Sequence, residues 1–362
     1  MHPTPPIDLS FEQRAAGAFV GALVGDALGL GPHWYYNLEE QVRDYGEWID
    51  DYTDPQPERY HAGSKAGDSS QQGILMLLMA HSLIDCDGYN ETDFCRRLDE
   101  ELFPNLDGTP VSGPGGYTSQ SIRDVWNARV RDGRSWGDVA GQADNTEALE
   151  RVLPLAIRYA RQPRRMAKAV VSNTALTQSD DIVQSMTVAF CAVLAQLLQG
   201  RRLDADISGT LMQQVKAGDL PFHTIVRDHL QPPQPGDIEA SLDGVFASPD
   251  ALLSPGYMAC AAHDPGVTIE PASKVSIVYG MPCAIYHQLP AAYYLAARFE
   301  QDFESAVLHA INGGGQNMTR AMLTGALVGA SVGIDKIPER FINGLNRRDE
   351  ILELAQRISG GG

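Results

Sequence analysis

The sequence predicts an all-α protein built as one domain, and three observations carry that prediction. Apolar residues recur at helical spacing along nearly all of the 362 residues, strand-like alternation is almost absent, and no proline-, glycine- or charge-rich stretch is long or repetitive enough to be a linker. The domain is placed at residues 11–360, after an N-terminal extension of residues 1–10. With 43% hydrophobic residues the chain can bury a sizeable core.

The first predicted helix covers residues 11–29, where glycines at 17, 21, 25 and 29 line one face. A glycine inside a helix costs roughly 1 kcal/mol relative to alanine, so such a stripe points to close backbone packing that compensates. Helical spacing then recurs over residues 72–84, 91–103, 146–160, 181–199, 205–217, 273–286 and 303–310. Near the C-terminus Gly325-Ala326-Leu327-Val328-Gly329 repeats Gly21-Ala22-Leu23-Val24-Gly25 letter for letter, and Gly333 continues a second stripe. Arg14, Asp26 and Arg320 lie in the two striped segments, which argues against membrane-spanning dimer motifs. A last helix is predicted over residues 349–359. Loops are expected at the Pro- and Gly-rich stretches beginning at Tyr52, Val111, Gln231 and Ala262, and a surface excursion between 200 and 250.

Composition excludes several classes of function. Lys and Arg total 28 against 46 Asp and Glu, a net charge of -18 spread along the chain, which disfavours nucleic acid as a partner. A small molecule or a protein fits better. Five scattered cysteines without a C-x-x-C pair argue against a disulfide framework or zinc knuckle and fit reduced thiols in a cytoplasm. No signal peptide is visible, and no uncharged apolar run reaches about 18 residues, so no membrane span is expected. The lone Cys260-x-x-His263 supplies half a zinc site at most.

Three polar, glycine-bearing segments flank predicted helices, where free backbone N–H groups and the helix dipole favour ligand binding. The first joins Gly25-Asp26-Ala27-Leu28-Gly29 to His33-Trp34-Tyr35-Tyr36. The second is Gly67-Asp68-Ser69-Ser70-Gln71-Gln72-Gly73, and the third runs from Asn312 through Gln316, Asn317 and Thr319 to Arg320. Each could equally be a cap and turn, since Ser, Asp and Asn are ordinary N-caps.

In this order the segments resemble the ADP-ribosylglycohydrolase family, together with the block Thr146-Glu147-Ala148-Leu149-Glu150-Arg151 and Leu176-Thr177-Gln178 followed by Asp180. The resemblance covers most of the chain. It implies a compact orthogonal multi-helix domain and two magnesium ions that cleave ADP-ribose from protein side chains. The family's Thr-Asp-Asp-Thr motif falls on Ser70-Gln71-Gln72-Gly73 and its Asp-x-Asp-Thr motif on Gln316-Asn317-Met318-Thr319, so every metal-binding aspartate of the two motifs is replaced. Magnesium needs hard oxygen ligands with carboxylates among them, and no two-magnesium site and no other cofactor is expected. His33-Trp34-Tyr35-Tyr36, Ala66-Gly67-Asp68 and Ile337-Pro338-Glu339-Arg340 resemble the divergent branch of selenoprotein J and the J-type crystallins of jellyfish lenses. The family's usual glutamate after Gly-Asp-Ala-Leu-Gly aligns with His33 in this sequence.

The resemblance places these segments beside one cleft. Cleaving a glycosidic bond needs a negative group near the ribose and an acid at the leaving group, and Asp26, Asp68 and His33 are the candidate catalytic residues. Ser70, Gln71, Gln72, Asn312, Gln316, Asn317 and Thr319 are placed as hydrogen-bonding residues, Trp34, Tyr35 or Tyr36 as stacking rings, and Arg320 as a phosphate partner. The expected ligand is a small molecule of ADP-ribose or nucleoside type. Three functions remain open at this level: hydrolysis of an N- or O-glycosidic bond without the two-magnesium centre, ligand binding by an inactive relative, and a crystallin-like structural role.

Overall fold

The computed structural model describes residues 9–223, 245–246 and 250–360. The described residues form sixteen α-helices: α1 (Phe11–Leu30), α2 (Leu38–Tyr45), α3 (Gln71–Asp85), α4 (Glu91–Arg97), α5 (Gln120–Trp126), α6 (Glu147–Arg158), α7 (Pro163–Ala175) and α8 (Asp181–Leu198), then α9 (Ile207–Lys216), α10 (Asp250–His263), α11 (Val275–Tyr279), α12 (Ile285–Arg298), α13 (Phe303–Ile311), α14 (Asn317–Val332), α15 (Glu339–Gly344) and α16 (Arg348–Ser359). Three isolated bridges, Gly141 with Gln178, Asn145 with Ala284 and Phe222 with Phe246, are the only β-pairing among them. The fold is all-α.

α1 is the axis of the molecule. Ser10 caps it in a reciprocal box with Gln13, and every residue from Arg14 to Leu30 is buried. A helix buried all round needs neighbours on every side, and α14 supplies the tightest of them. The two run antiparallel with their glycines in register. A Cβ added at Gly17 would lie 2.2 Å from the Gly329 carbonyl oxygen, one at Gly21 2.4 Å from that of Gly325, and one at Gly25 2.1 Å from that of Ala321. Backbone meets backbone along the whole seam, which is the compensation that the stripe requires. Arg14, which interrupts the apolar run, reaches across to the Ala330 and Ser331 carbonyls at 3.0 and 3.1 Å and so caps the far end of α14.

The other helices wrap this pair. α3, α6, α12, α13 and α16 bury apolar faces in one hydrophobic cluster that extends from Ala15 to Ile358. α8 has the length and composition of a membrane span, yet 72% of it is buried inside the protein, as expected of a core helix.

Local structure departs from the sequence-based expectations where periodicity is interrupted. The helix expected over 91–103 ends as α4 at Arg97 and continues as a π turn over Leu98–Leu102 and a 3-10 turn over Phe103–Asn105. The one expected over 273–286 splits at Gly280, whose φ of +120° no helix accepts, and α12 runs on from Ile285 to Arg298 with Pro290 inside it. α2, α5, α7, α10 and α15 are short, proline-bearing or part-exposed helices that apolar spacing does not reveal. The Gln231 loop and most of the expected surface excursion lie outside the described residues.

Candidate functional site

Because α1 and α14 are antiparallel, the end of α1 that carries Asp26 meets the start of α14. The starts of α3 and α6 arrive at the same place. Three helix N-termini, with their free N–H groups, therefore surround the last turns of α1. All of the side chains that meet there are buried.

On the α3 side, both oxygens of the fully buried Asp26 are taken by Ser70: Oδ1 accepts from Ser70 Oγ at 2.5 Å and Oδ2 from Ser70 N–H at 2.9 Å. Ser70 is also the N-cap of α3, accepting from the N–H groups of Gln72 and Gly73. Gly73 makes room for this arrangement, since a Cβ there would lie 2.2 Å from Asp26 Oδ2. Burial pushes the Asp26 carboxyl up to about 6 against the pull of the two Ser70 hydrogen bonds.

On the α14 side, a continuous run of hydrogen bonds crosses the site. His61 Nδ1 meets the Gly115 carbonyl at 2.5 Å, His61 Nε2 meets His33 Nδ1 at 2.7 Å, and His33 Nε2 meets Gln316 Oε1 at 3.0 Å. Gln316 Nε2 donates to Thr319 Oγ1 at 2.7 Å, and Thr319 Oγ1 donates to Glu150 Oε1 at 2.6 Å, which also accepts from Thr146 Oγ1 at 2.6 Å. Burial holds His33 well below its usual value, with His61 adding repulsion, and burial brings His61 down to about 4. Burial likewise raises Glu147, and it raises Glu150 to about 7, where the Glu147 and Asp26 charges add to the effect. Glu150 Oε2 is buried without a hydrogen-bond partner.

A glycine loop closes the site. Gly113, Gly115 and Gly116 all have positive φ, and a Cβ at Gly115 would lie 2.5 Å from the backbone nitrogen of Gln71. The loop thus lies backbone to backbone on the start of α3, and Gly116 packs as closely on His61 Cα, at 2.6 Å. Outside it, the Trp34 indole stacks on His33 with centroids 5.1 Å apart, and Tyr60 and Tyr117 pack edge-on at 5.1 and 5.3 Å. Trp34 holds a φ of +90°, and its Nε1 is buried without a partner. A bulky residue in left-handed backbone is a local strain that this ring cluster sustains.

Of the residues singled out in the sequence, the structure brings Asp26, His33, Trp34, Ser70, Gln72, Gln316 and Thr319 together. The others are held elsewhere or by other partners. Asp68 accepts from Lys65 N–H at 2.7 Å and Asn346 Nδ2 at 2.6 Å, a turn tied to the loop after α15, and it shares no partner with Asp26 or His33. Tyr35 is a core ring whose hydroxyl donates to Asp44 at 2.7 Å beneath the Arg59 guanidinium, while Tyr36 is half exposed. Gln71 turns to Thr118 Oγ1 and Ser119 N–H, and Asn312 pins Ile49 through its backbone N–H and carbonyl. Asn317 donates only long bonds of 3.4 Å to the Gly29 and Ile311 carbonyls, leaving its Oδ1 buried and unpartnered.

Arg320 departs furthest from its expected role. Its guanidinium is fully buried against the Ala310 and Gly314 carbonyls and Gln288, with burial bringing it down to about 9. It fastens the end of α13 and the loop before α14, so no free fork remains for a phosphate.

His61, Thr146, Glu147 and Glu150 are the members that the sequence did not single out as site residues. His61 sits in an aperiodic loop. Glu147 and Glu150 carried a signal, being two carboxylates at i and i+3 on a helix that is apolar apart from them, Arg151 and Arg158. Such a pair is buried only when partners await it. Glu147 accepts from the N–H groups of Gln120 and Ser121 at 3.1 and 2.8 Å, so it holds the start of α5.

Comparison with known proteins gives this arrangement its context. Residues 8–362 match the model of the ADP-ribosylglycohydrolase family. Crystallin J1A of Tripedalia cystophora is 35% identical over 96% of this chain and 97% of its own. An uncharacterized protein of Archaeoglobus fulgidus is 22% identical over 96% of both chains. A solved structure titled as an ADP-ribosylglycohydrolase-related protein complex superposes with a TM-score of 0.61 at 19% identity, covering 97% of this chain and 98% of that one, which is a likeness of fold. With its glycine-sealed helix pair, its three converging helix N-termini and a family match over nearly its full length, the chain belongs to the ADP-ribosylglycohydrolase family.

Proposed function

We propose that this member hydrolyses an N- or O-glycosidic bond of an ADP-ribosyl or nucleoside-type ligand without the family's two-magnesium centre. The observation that carries the reading is the pair of buried carboxyls, Asp26 and Glu150, held near 6 and 7 beside one another at converging helix N-termini. Such values suit a division of labour in which about half of the Glu150 carboxyls hold a proton at neutral pH while Asp26 is mostly ionised. Glu150 is then the acid for the leaving group, and Asp26 the negative charge that faces the developing oxocarbenium ion. His33, through Gln316 and Thr319, positions Glu150. The ligand reaches the centre when the Trp34, Tyr60 and Tyr117 rings part.

The residues present do not fit a magnesium pair. The family's aspartate positions hold the amides of Gln71, Gln72 and Gln316 and the thioether of Met318, and both oxygens of Asp26 are committed to Ser70. Among the described residues no group of three or more His, Cys, Asp or Glu side chains is disposed to hold a metal ion.

Hydrolysis of ADP-ribosylated peptides and nucleosides is measured with a chelator present. Turnover that survives the chelator and is lost in both Glu150→Gln and Asp26→Asn is the expected result. Turnover that requires magnesium, or none with any substrate, overturns the proposal.

One observation favours a second reading, a crystallin-like structural protein. Most polar groups of the site are already paired with this chain's own residues, beneath a loop whose Gly115 and Gly116 lie against the backbone of Gln71 and His61. A thermal-shift series with ADP-ribose, NAD and nucleosides separates the two. A ligand at 100 times its dissociation constant adds roughly 2.7 kcal/mol of stability, and a structural protein shows no shift with any of them. A shift without turnover identifies an inactive binder.

A further inference from the structure

The hydrogen bonds that cross the site carry a constraint on protons that no single residue reveals. Gly115 contributes a carbonyl, which can only accept, so His61 Nδ1 must carry a proton. At the other end His33 Nε2 faces the carbonyl oxygen of Gln316 and must carry one as well. The bond between the two rings, at 2.7 Å, needs a third. Two neutral imidazoles bring two protons between them. With Gln316 as placed, all three bonds form only when the pair of rings is a cation, and Glu150, which accepts from both Thr319 and Thr146, is then the carboxylate that balances it.

A second arrangement satisfies every bond as well. If the Gln316 amide is reversed, its Nε2 donates to His33 Nε2, His33 Nδ1 donates to His61, and His61 donates to Gly115, with both rings neutral. The Gln316 oxygen then accepts from Thr319 Oγ1, which must in turn accept a proton from Glu150. The total of protons is unchanged: one has left the ring pair and one has joined the carboxyl. The amide carries no proton across. Its rotation reverses the direction of the bonds, and the proton exchanges with solvent at either end.

We propose that the His33–His61 pair and Glu150 hold one proton in common, through Gln316 and Thr319, so that near neutrality the rings are cationic when Glu150 is ionised and neutral when it is protonated. The surroundings support this. His33 is otherwise faced by the Trp34 and Tyr117 rings, and His61 by Tyr117, so neither ring has another acid at hand. Around Glu150 the other charged groups felt are the Glu147 and Asp26 carboxylates and the neighbouring Arg151, whose Nε and Nη2 donate to Asn173 while its Nη1 is buried without a hydrogen-bond partner. A lone ionised Glu150, with neutral rings, would leave one bond of the run with two donors or two acceptors face to face in a buried site.

The inference does not depend on turnover, and magnetic resonance tests it directly. The 15N shifts of His33 and His61 give the fraction of cationic rings, and the 13C carboxyl shift of Glu150 gives the fraction protonated. At pH 6 the two fractions are expected to sum to one. A carboxylate at Glu150 beside neutral rings at that pH overturns the proposal. Gln316→Glu places a carboxylate against His33, and the rings are then expected to be fully cationic at pH 7. Glu150→Gln removes the counter-charge and is expected to leave them neutral at pH 6. Ring signals that are the same in wild type and both variants also overturn it, and a fold failure in one variant leaves the other to decide.

Discussion

The seam between α1 and α14 and the polar centre at its end are built from the same two helices, but by opposite means. Along the seam the side chains have been removed, and what holds the helices is the fit of one backbone on another. At the centre side chains crowd in, and what holds them is mutual hydrogen bonding among groups that would be costly to bury alone. The seam has no tolerance for size and is indifferent to charge. The centre tolerates changes of shape better than changes of proton count.

Three substitutions sharpen or break that contrast. The largest effect is expected for Gly329→Ala, because the added methyl would lie 2.1 Å from the Gly17 carbonyl oxygen, with backbone on both sides and nothing that can swing away. A loss of about 3 kcal/mol or more is expected in urea denaturation. A cost near the roughly 1 kcal/mol gain in helix propensity, or a net stabilisation, would show that the seam can slide.

The second prediction concerns pH. Glu150 has a folded-state value of about 7, above that of an exposed glutamate, so the folded protein binds its proton more tightly than the unfolded chain does. Its contribution to stability is fully present below about pH 4.5 and is lost as the pH rises through 7. Asp26, at about 6, acts with the same sign. The buried histidines act with the opposite one: their lowered values contribute stability above about pH 6.5 that is lost as the pH falls. Comparing Glu150→Gln with wild type retains both rings and Asp26 and removes the carboxyl together with the proton it shares with the rings. The variant is expected to gain on wild type between pH 5 and pH 8 by up to about 3 kcal/mol. A difference that stays flat across that range would remove Glu150 from the set of perturbed groups.

The smallest effect is expected for Asp68→Asn. Its carboxylate serves a part-exposed turn and one asparagine of a neighbouring loop. A change of under about 1 kcal/mol is expected, with unaltered binding of any ligand that shifts the melting temperature. An effect on binding would mean that the α3 entry reaches the centre after all.

The stripes were legible in the sequence, because a four-residue glycine period points to close backbone packing, but that the two stripes pack on one another is shown by the structure alone. The centre was half legible. His33, Ser70, Gln316 and Thr319 stand next to glycines at helix ends, where chemistry and capping leave the same mark, and the structure unites them. Asp68 and Asn312 carry that mark too and turn out to serve turns and a backbone clasp. Arg320 was misread because the use of a buried guanidinium depends on which carbonyls surround it, and those belong to a different helix. His61 was invisible for a related reason. It gains meaning only through Gly115, which is 54 positions away, and His33 on the far side of the site.

The seam also sets when the molecule can become itself. Arg14 and Ala330, which meet at one end of it, stand 316 positions apart. At the usual pace of synthesis, about 5–20 residues per second, α1 waits for roughly 15 to 60 s before its partner exists. During that interval a helix buried on every side in the finished protein has its apolar surface uncovered. A chain that stops before α14 leaves the glycine face of α1 without the backbone it packs against.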